Sequence, residues 1–151
     1  MSTSSKSLLH DLTGKPINQL YDPVDDVFIP FYSNRNATVL ASASRTTTQV
    51  GTDIQNYRHR GISVTLDMTA VGTGSVTLTI EGKDTASGKY YTLLAGAAVT
   101  TNVTNTYKVY PGLTAVANAV ASDVVPRTFR ISVTANNANA ATYSVGYSTL
   151  E

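Results

Sequence analysis

"GISVTLDMTAVGTGSVTLTIEG", residues 61–82, contains two runs in which apolar and polar residues alternate. Each run places its apolar side chains on one face of an extended chain: Ile62, Val64, Leu66 and Met68 in the first, and Val76, Leu78 and Ile80 in the second. A period of two is typical of a β-strand with one buried face. Because the residues between the runs are rich in glycine, the segment is predicted to form a β-hairpin with one buried and one solvated face.

Runs of the same kind recur along the chain. Further strands are predicted at residues 37–43, 89–96, 103–112, 127–136 and 141–150. The alternation places Val39 and Leu40 on opposite faces of their strand. Residues 83–88, "KDTASG", have the composition of a hairpin loop between two strands. Residues 113–124 are interpreted as either a short helix or an irregular connection.

Composition and strand spacing together predict the fold class. The chain contains 23 Thr, whose β-branched side chains favour strands. Seven or eight short strands, with turns every ~8–12 residues, are typical of a two-sheet structure. The prediction is an all-β fold, an antiparallel β-sandwich or jelly roll with an extended N-terminal arm.

Residues 1–36 are predicted to form the arm, and residues 37–151 the sandwich domain. The arm contains Pro16, Pro23 and Pro30. Proline lacks a backbone donor and biases the preceding residue towards extended forms. Six apolar residues of the arm are predicted to anchor it on a neighbouring subunit: Tyr21, Val27, Phe28, Ile29, Phe31 and Tyr32.

Charge argues against several classes of partner. The net charge is +1 and 14% of the residues are charged, so no long-range field would attract the chain to nucleic acid or to an acidic membrane. The first fifteen residues lack the apolar run of a signal peptide, and no stretch approaches the ~20 apolar residues of a membrane helix. We therefore expect neither a nucleic-acid partner nor a membrane partner.

The sequence also predicts no catalytic residue, metal ligand or cofactor. Cysteine is absent, which excludes thiolate metal sites and cysteine nucleophiles. Glu81 and Asp84 stand three residues apart at the end of a predicted strand and are interpreted as solvated carboxylates rather than as a catalytic pair. His10 and His59 lie on different parts of the chain and suggest no metal site or catalytic triad. The chain is interpreted as non-enzymatic.

Two further features concern binding. Arg58 and Arg60, in "YRHRG" (57–61), form the densest basic spot and are interpreted either as a solvated strand entry or as a polar contact with a partner protein. Most of the nine tyrosines fall on predicted strands, where tyrosine usually packs across strands and also suits subunit contacts. The alternative use of exposed tyrosines is stacking on sugars, which makes glycan binding a second hypothesis.

Residues 61–150 also carry a resemblance to known proteins. The segments "VTLTIEGKDTASGKYYTLLAG" (76–96), "YKVYPGL" (107–113), "VVPRTFRISVTA" (124–135) and "TYSVGYSTL" (142–150) resemble a module of small virion proteins of tailed bacteriophages, of the head or decoration type. The same segments are similar, more faintly, to the discoidin-like carbohydrate-binding jelly roll, although this chain lacks the tryptophan usual there.

The phage resemblance implies a capsid decoration, or cement, protein. Such a protein is a β-sandwich on the capsid surface of the virion, made in the host cytoplasm, that reaches its neighbours with a terminal arm. The implied partners are the major capsid protein, further copies of the chain in a homo-oligomer such as a trimer, or both. A neck or tail component shares these sequence features, and a sugar-binding module on a tail or fibre is the alternative from a different class.

Overall fold

The computed structural model describes residues 10, 12–22, 27–30 and 34–151. The chain divides into two compact units, Met1–Ser33 and Asn34–Glu151. We call the second unit the body. It contains ten strands, and the first unit contributes two described strands.

The two described strands of the first unit form an antiparallel pair. β1 spans Gln19–Asp22 and β2 spans Val27–Pro30. Tyr21 lies opposite Phe28, and the centroids of their rings are 5.4 Å apart. Part of the predicted arm is therefore a β-ribbon in which two aromatic side chains pack across the strands.

The strands of the body follow the predicted segments closely. They are β3 (Asn36–Arg45), β4 (Gln49–Val50), β5 (Ile54–Gln55), β6 (Gly61–Ala70), β7 (Val76–Lys83), β8 (Tyr90–Ala95), β9 (Val103–Val109), β10 (Val120–Ala121), β11 (Thr128–Ala135) and β12 (Ala141–Leu150). Sheet 1 has the order β10-β9-β6-β12-β3. Sheet 2 has the order β4-β11-β7-β8, and β5 also pairs with β11. The predicted all-β sandwich is confirmed, and within the body only β9 and β10 pair in parallel.

The apolar faces of the two sheets form one core. The seven apolar residues predicted on the buried faces of 61–68 and 75–82 are all at most 3% exposed. Phe129 of sheet 2 and Tyr147 of sheet 1 meet in this core with their rings nearly perpendicular and their centroids 6.2 Å apart. The alternation along each strand therefore places one face in the core and the other towards solvent.

The predicted hairpin between β6 and β7 is wrong. β6 lies in sheet 1 and β7 lies in sheet 2, so residues 71–75 cross between the sheets. Val71 is buried in this crossing, and a side chain at Gly74 would collide with the carbonyl oxygen of Ala140. Two strands that each have one apolar face can lie side by side in one sheet, or they can face each other in two sheets ~10 Å apart. The sequence has the same period of two in both cases. The pattern thus shows which face is buried but not which strands pair.

The predicted hairpin loop at residues 83–88 is confirmed. β7 pairs with β8, and Lys83 lies opposite Tyr90. The Asp84 carboxylate accepts hydrogen bonds from the backbone N–H groups of Ala86 and Ser87, at 3.3 and 3.0 Å. The Ser87 hydroxyl also donates a hydrogen bond to this carboxylate. The hydroxyl bond, followed by the two backbone bonds, lowers the pKa of Asp84. Asp84 therefore serves the turn.

β3, at the edge of sheet 1, departs from strict alternation. Val39 and Leu40 both pack against the core, so the prediction that they lie on opposite faces is wrong. The pairing of β3 with β12 shifts register twice, between Tyr143 and Val145 and between Val145 and Gly146. A bulge adds an unpaired residue and interrupts the alternation, which lets neighbouring side chains reach the same face.

Residues 113–124 form an irregular connection rather than a helix. Val116 and Val120 exchange two backbone hydrogen bonds, of 3.0 and 2.9 Å, around a tight turn. Asn118 in this turn has a φ of 61°, a left-handed conformation that asparagine tolerates. Among the residues that the structure describes, no helix is long and apolar enough to cross a membrane.

Candidate interaction surface

The predicted anchors of the arm are only partly described. Tyr21 is 48% exposed although it contacts Phe28, so part of this aromatic pair lies at the surface. Val27 and Ile29 lie within β2. Phe31 and Tyr32 lie outside the described residues. A role of these six residues in anchoring the arm stays a prediction.

One end of the body collects basic side chains, and we call it the basic end. Its members are Arg35, Arg58, His59, Arg60 and Arg127. Arg58 and Arg60, the two residues that the sequence suggested for a polar contact, both lie here. Arg58 forms an ion pair of 2.6 Å with Glu151, and the Arg60 guanidinium lies 6.0 Å from the ring centroid of Tyr110. Arg60 is exposed.

The fold adds to the basic end two arginines that are distant in sequence. The Arg127 guanidinium lies 4.9 Å from the ring centroid of Tyr57, a cation–π distance. Arg35 is close enough to contribute to the lowered pKa of His59. Strand order brings these groups together, and the local pattern at 57–61 could not have shown it.

The buried side-chain amide of Asn56 connects the backbone segments of the basic end by hydrogen bonds. Asn56 is 7% exposed and donates hydrogen bonds to the carbonyl oxygens of His59 and Val125, at 2.7 and 2.9 Å. Its own carbonyl accepts a hydrogen bond of 2.9 Å from the His59 N–H. Burial, followed by the charges of Arg58 and Arg35, lowers the pKa of His59. His59 is therefore neutral at neutral pH, and the arginines carry the charge.

The outer face of sheet 2 carries a second charged group of residues, which we call the charged network: Asp53, Glu81, Lys83, Tyr90 and Arg130. Glu81 accepts hydrogen bonds from Arg130 and Ser132, at 2.7 and 2.9 Å. Asp53 pairs with Lys83 at 2.6 Å and accepts a hydrogen bond from the Tyr90 hydroxyl. The Arg130 guanidinium lies 3.4 Å from the ring centroid of Tyr90.

The charged network corrects the interpretation of Glu81 as a solvated carboxylate. The Glu81 side chain is 18% exposed and lies on β7, where Arg130 of the adjacent strand faces it. Hydrogen bonds from Arg130, and to a lesser extent Ser132, outweigh burial and lower the pKa of Glu81. Hydrogen bonds from Lys83 and Tyr90 likewise lower the pKa of Asp53. Ionised, paired carboxylates stabilise the sheet and do not supply a general acid.

The pairing of Glu81 predicts acid sensitivity. A folded-state pKa below its ordinary value of 4.5 contributes stability above that value, which is lost as the pH falls through the lower folded-state pKa. The difference in unfolding free energy between wild type and Glu81→Gln should therefore be steady near neutral pH and shrink in acid. Urea unfolding from neutral pH to about pH 2.5 measures it. In an Arg130→Met background this pH dependence should nearly vanish; if it persists, the assignment to the pair is wrong.

An open cleft of about 570 Å³ lies beside β3, and we call it the β3 cleft. Its apolar lining comes from sheet 1 on one side and from the β4–β5 segment on the other: Ala37, Val39, Leu40, Val50, Ile54 and Tyr147. Arg35 and Tyr57 also line it and connect it to the basic end. Asp53 lines it too, with its carboxylate engaged by Lys83 and Tyr90.

The two halves of β3 differ along this edge. The Arg45 guanidinium donates hydrogen bonds to the carbonyl oxygens of Ala41 and Ala43, at 2.6 and 3.0 Å, in the C-terminal half. A charged side chain that caps an edge in this way discourages pairing with another strand. The β3 cleft lies beside the N-terminal half, where residues 37–40 line it.

The tyrosines divide between the core and the surface. Tyr107, Tyr143 and Tyr147 are at most 7% exposed and belong to the core. Tyr91 is 46% exposed, and its ring lies over Gly82. Half of the six tyrosines on predicted strands therefore serve packing.

The chain is similar in fold to the PBSX exported protein XepA. The TM-score is 0.54 at 16% sequence identity, and the likeness covers 99% of this chain and 50% of XepA. This chain thus spans about half the length of XepA. At this identity the likeness concerns the fold alone.

Structures of infectious bursal disease virus match less well than XepA. The Gx strain gives a TM-score of 0.45 at 12% identity over 90% of this chain and 38% of the viral chain. The Gt strain gives 0.42 at 15% identity over 97% of this chain and 42% of the viral chain. No protein-family model matches the chain, and no curated protein is similar to it in sequence.

Proposed function

We propose that the chain is a non-enzymatic structural protein of a tailed-phage virion, and specifically a decoration protein that binds the head exterior. Its partners are then the major capsid protein and copies of itself. The arm reaches the neighbour, and the body forms the exterior mass. A location in the neck or tail is the runner-up, since it would use the same surfaces.

The observation that carries this proposal is the separate β1–β2 ribbon of the first unit. A two-stranded ribbon is marginally stable alone in water. It nevertheless exposes the aromatic surface of Tyr21 beside Phe28. Apolar surface on a weakly stable element is typical of a segment that gains its stability from a partner.

Two further observations support a structural role. In the body, the carboxylates with shifted pKa values, Asp53, Glu81 and Asp84, are committed to ion pairs or to a turn. Among the described residues no three His, Asp or Glu side chains are grouped to hold a metal ion. The fold likeness to the PBSX exported protein XepA supports this proposal at the level of the fold alone.

The test is cosedimentation of the purified chain with undecorated heads of the phage that encodes it. A truncated chain of residues 34–151 runs alongside, because it keeps the hydrogen bonds between the Arg35 backbone and Thr149. The full chain is expected to sediment with the heads and the truncated chain to remain in solution. Several weak contacts on each capsomer would add up through multivalency.

The matched control is the full chain with Tyr21→Ser and Phe28→Ser. It retains the length of the arm but lacks its described aromatic pair, and it should bind heads weakly. Head binding by the 34–151 chain equal to that of the full chain would contradict the role of the arm. Failure of the full chain to bind heads would contradict a decoration role and favour the neck or tail.

A further inference from the structure

We propose that the β3 cleft receives the acidic and apolar segment at residues 25–30 from a second copy of the chain. This inference rests on the proposed role of the arm in reaching a neighbour. It names the acceptor surface for contacts between copies, which the proposed function leaves open. The argument uses the shape of the cleft, its apolar lining and its charge.

The β3 cleft is open, and apolar side chains form part of its lining. Val50 lines it and is 59% exposed, and Val39, Leu40 and Ile54 are partly buried around it. The cleft lies beside β3, the strand that ends sheet 1. Apolar side chains of such a segment would bury the exposed valine.

The charges of the body and of the arm indicate which kind of segment the cleft would bind. The body carries nine Lys or Arg and six Asp or Glu, a net +3, whereas residues 1–33 carry two and four, a net −2. Arg35 lines the cleft where it meets the basic end. The complementary segment is therefore acidic at one end and apolar beyond it.

The chain contains such a segment in "DDVFIP", residues 25–30. Asp25 and Asp26 precede the apolar run of β2. In this proposal the two acids of one copy meet Arg35 of the other, and the run from Val27 to Ile29 meets Val50.

The proposal is tested by sedimentation velocity of the full-length chain over a range of concentrations, at low salt and without phage heads. The wild type is expected to self-associate. Val50→Asp and Arg35→Glu should each weaken the association about tenfold or more, because they place negative charge against the acidic segment. Circular dichroism checks that each variant folds, which is expected because both side chains are exposed.

The chain offers matched controls for both changes. Val116→Asp alters another exposed valine, which is 51% exposed, and Lys108→Glu alters another exposed cation. Both variants should associate like the wild type. Adding Asp25→Lys and Asp26→Lys to Arg35→Glu should restore association, because the sign of the charge is then reversed on both sides of the contact. Restoration would support a direct contact between these groups.

Two results would overturn the inference. One is a wild-type chain that stays monomeric at all concentrations. The other is an association that Val50→Asp and Arg35→Glu weaken no more than the controls do. A chain that binds heads but remains monomeric contradicts this inference alone, whereas one that self-associates but never binds heads contradicts the decoration role alone.

Discussion

Phe129→Ala is expected to lower the free energy of unfolding by about 3–5 kcal/mol, because it removes a large ring from the centre of a close-packed core. Phe129 is fully buried, and its ring meets Tyr147 of the opposite sheet. It also pairs with Ile54 on one side and Gly82 on the other. The loss therefore affects the contact between the sheets. Urea unfolding followed by circular dichroism measures it.

The matched control for this change is Phe129→Leu. Leucine keeps most of the apolar volume and should cost less than about 1.5 kcal/mol. A cost for alanine no larger than that for leucine would mean that the two sheets do not depend on this ring. Since domains of this size are typically stable by about 5–15 kcal/mol, the alanine variant should lose a large fraction of its stability.

Gly51→Ala is expected to destabilise the body by about 1–3 kcal/mol, the usual cost of forcing extra atoms into a packed position. A Cβ atom at this position would lie 2.3 Å from the carbonyl oxygen of Ile131. The same oxygen accepts a hydrogen bond of 3.1 Å from the Gly51 N–H. Because the obstacle is backbone of β11, relief requires that the β4–β5 segment move away from β11.

Gly146→Ala is the control for Gly51→Ala. It also lies in sheet structure of the body, but the nearest atom to a Cβ there is the carbonyl oxygen of Ala37, at 3.6 Å. Its cost should be near zero or slightly negative, because alanine restricts the unfolded chain more than glycine does. Equal costs at the two positions would rule out the collision with Ile131 as the cause.

Sequence reasoning predicted the strands and their buried faces well, because both depend on local alternation. The apolar faces at 61–68 and 75–82 and the turn at 83–88 follow from side-chain chemistry within a few residues. The pairing of β6 and β7 was predicted wrongly, because the strands that pair with β6 lie more than thirty positions along the chain. β6 pairs with β9 and β12, and β7 pairs with β11 and β8.

The candidate surface was predictable only in part, for the same reason. Arg58 and Arg60 are visible as a local cluster, but Arg35 and Arg127 join them through the order of strands. Glu81 was taken for a solvated acid because its partner, Arg130, lies 49 positions along the chain. The β3 cleft depends on the bulges that turn both Val39 and Leu40 towards the core, and an alternating pattern does not reveal a bulge.

The position of β12 also bears on how the chain folds during synthesis. β12 lies between β3 and β6 in sheet 1, and Ser148 pairs with Asn36, 112 positions earlier. On the ribosome, β3 and one edge of β6 must therefore wait for their partner until almost the whole body has been translated. During that interval these strands expose unpaired edges that can capture other nascent chains. We expect production in cells to benefit from slow translation and from chaperones that shield nascent chains, more than it would for a fold with local pairings.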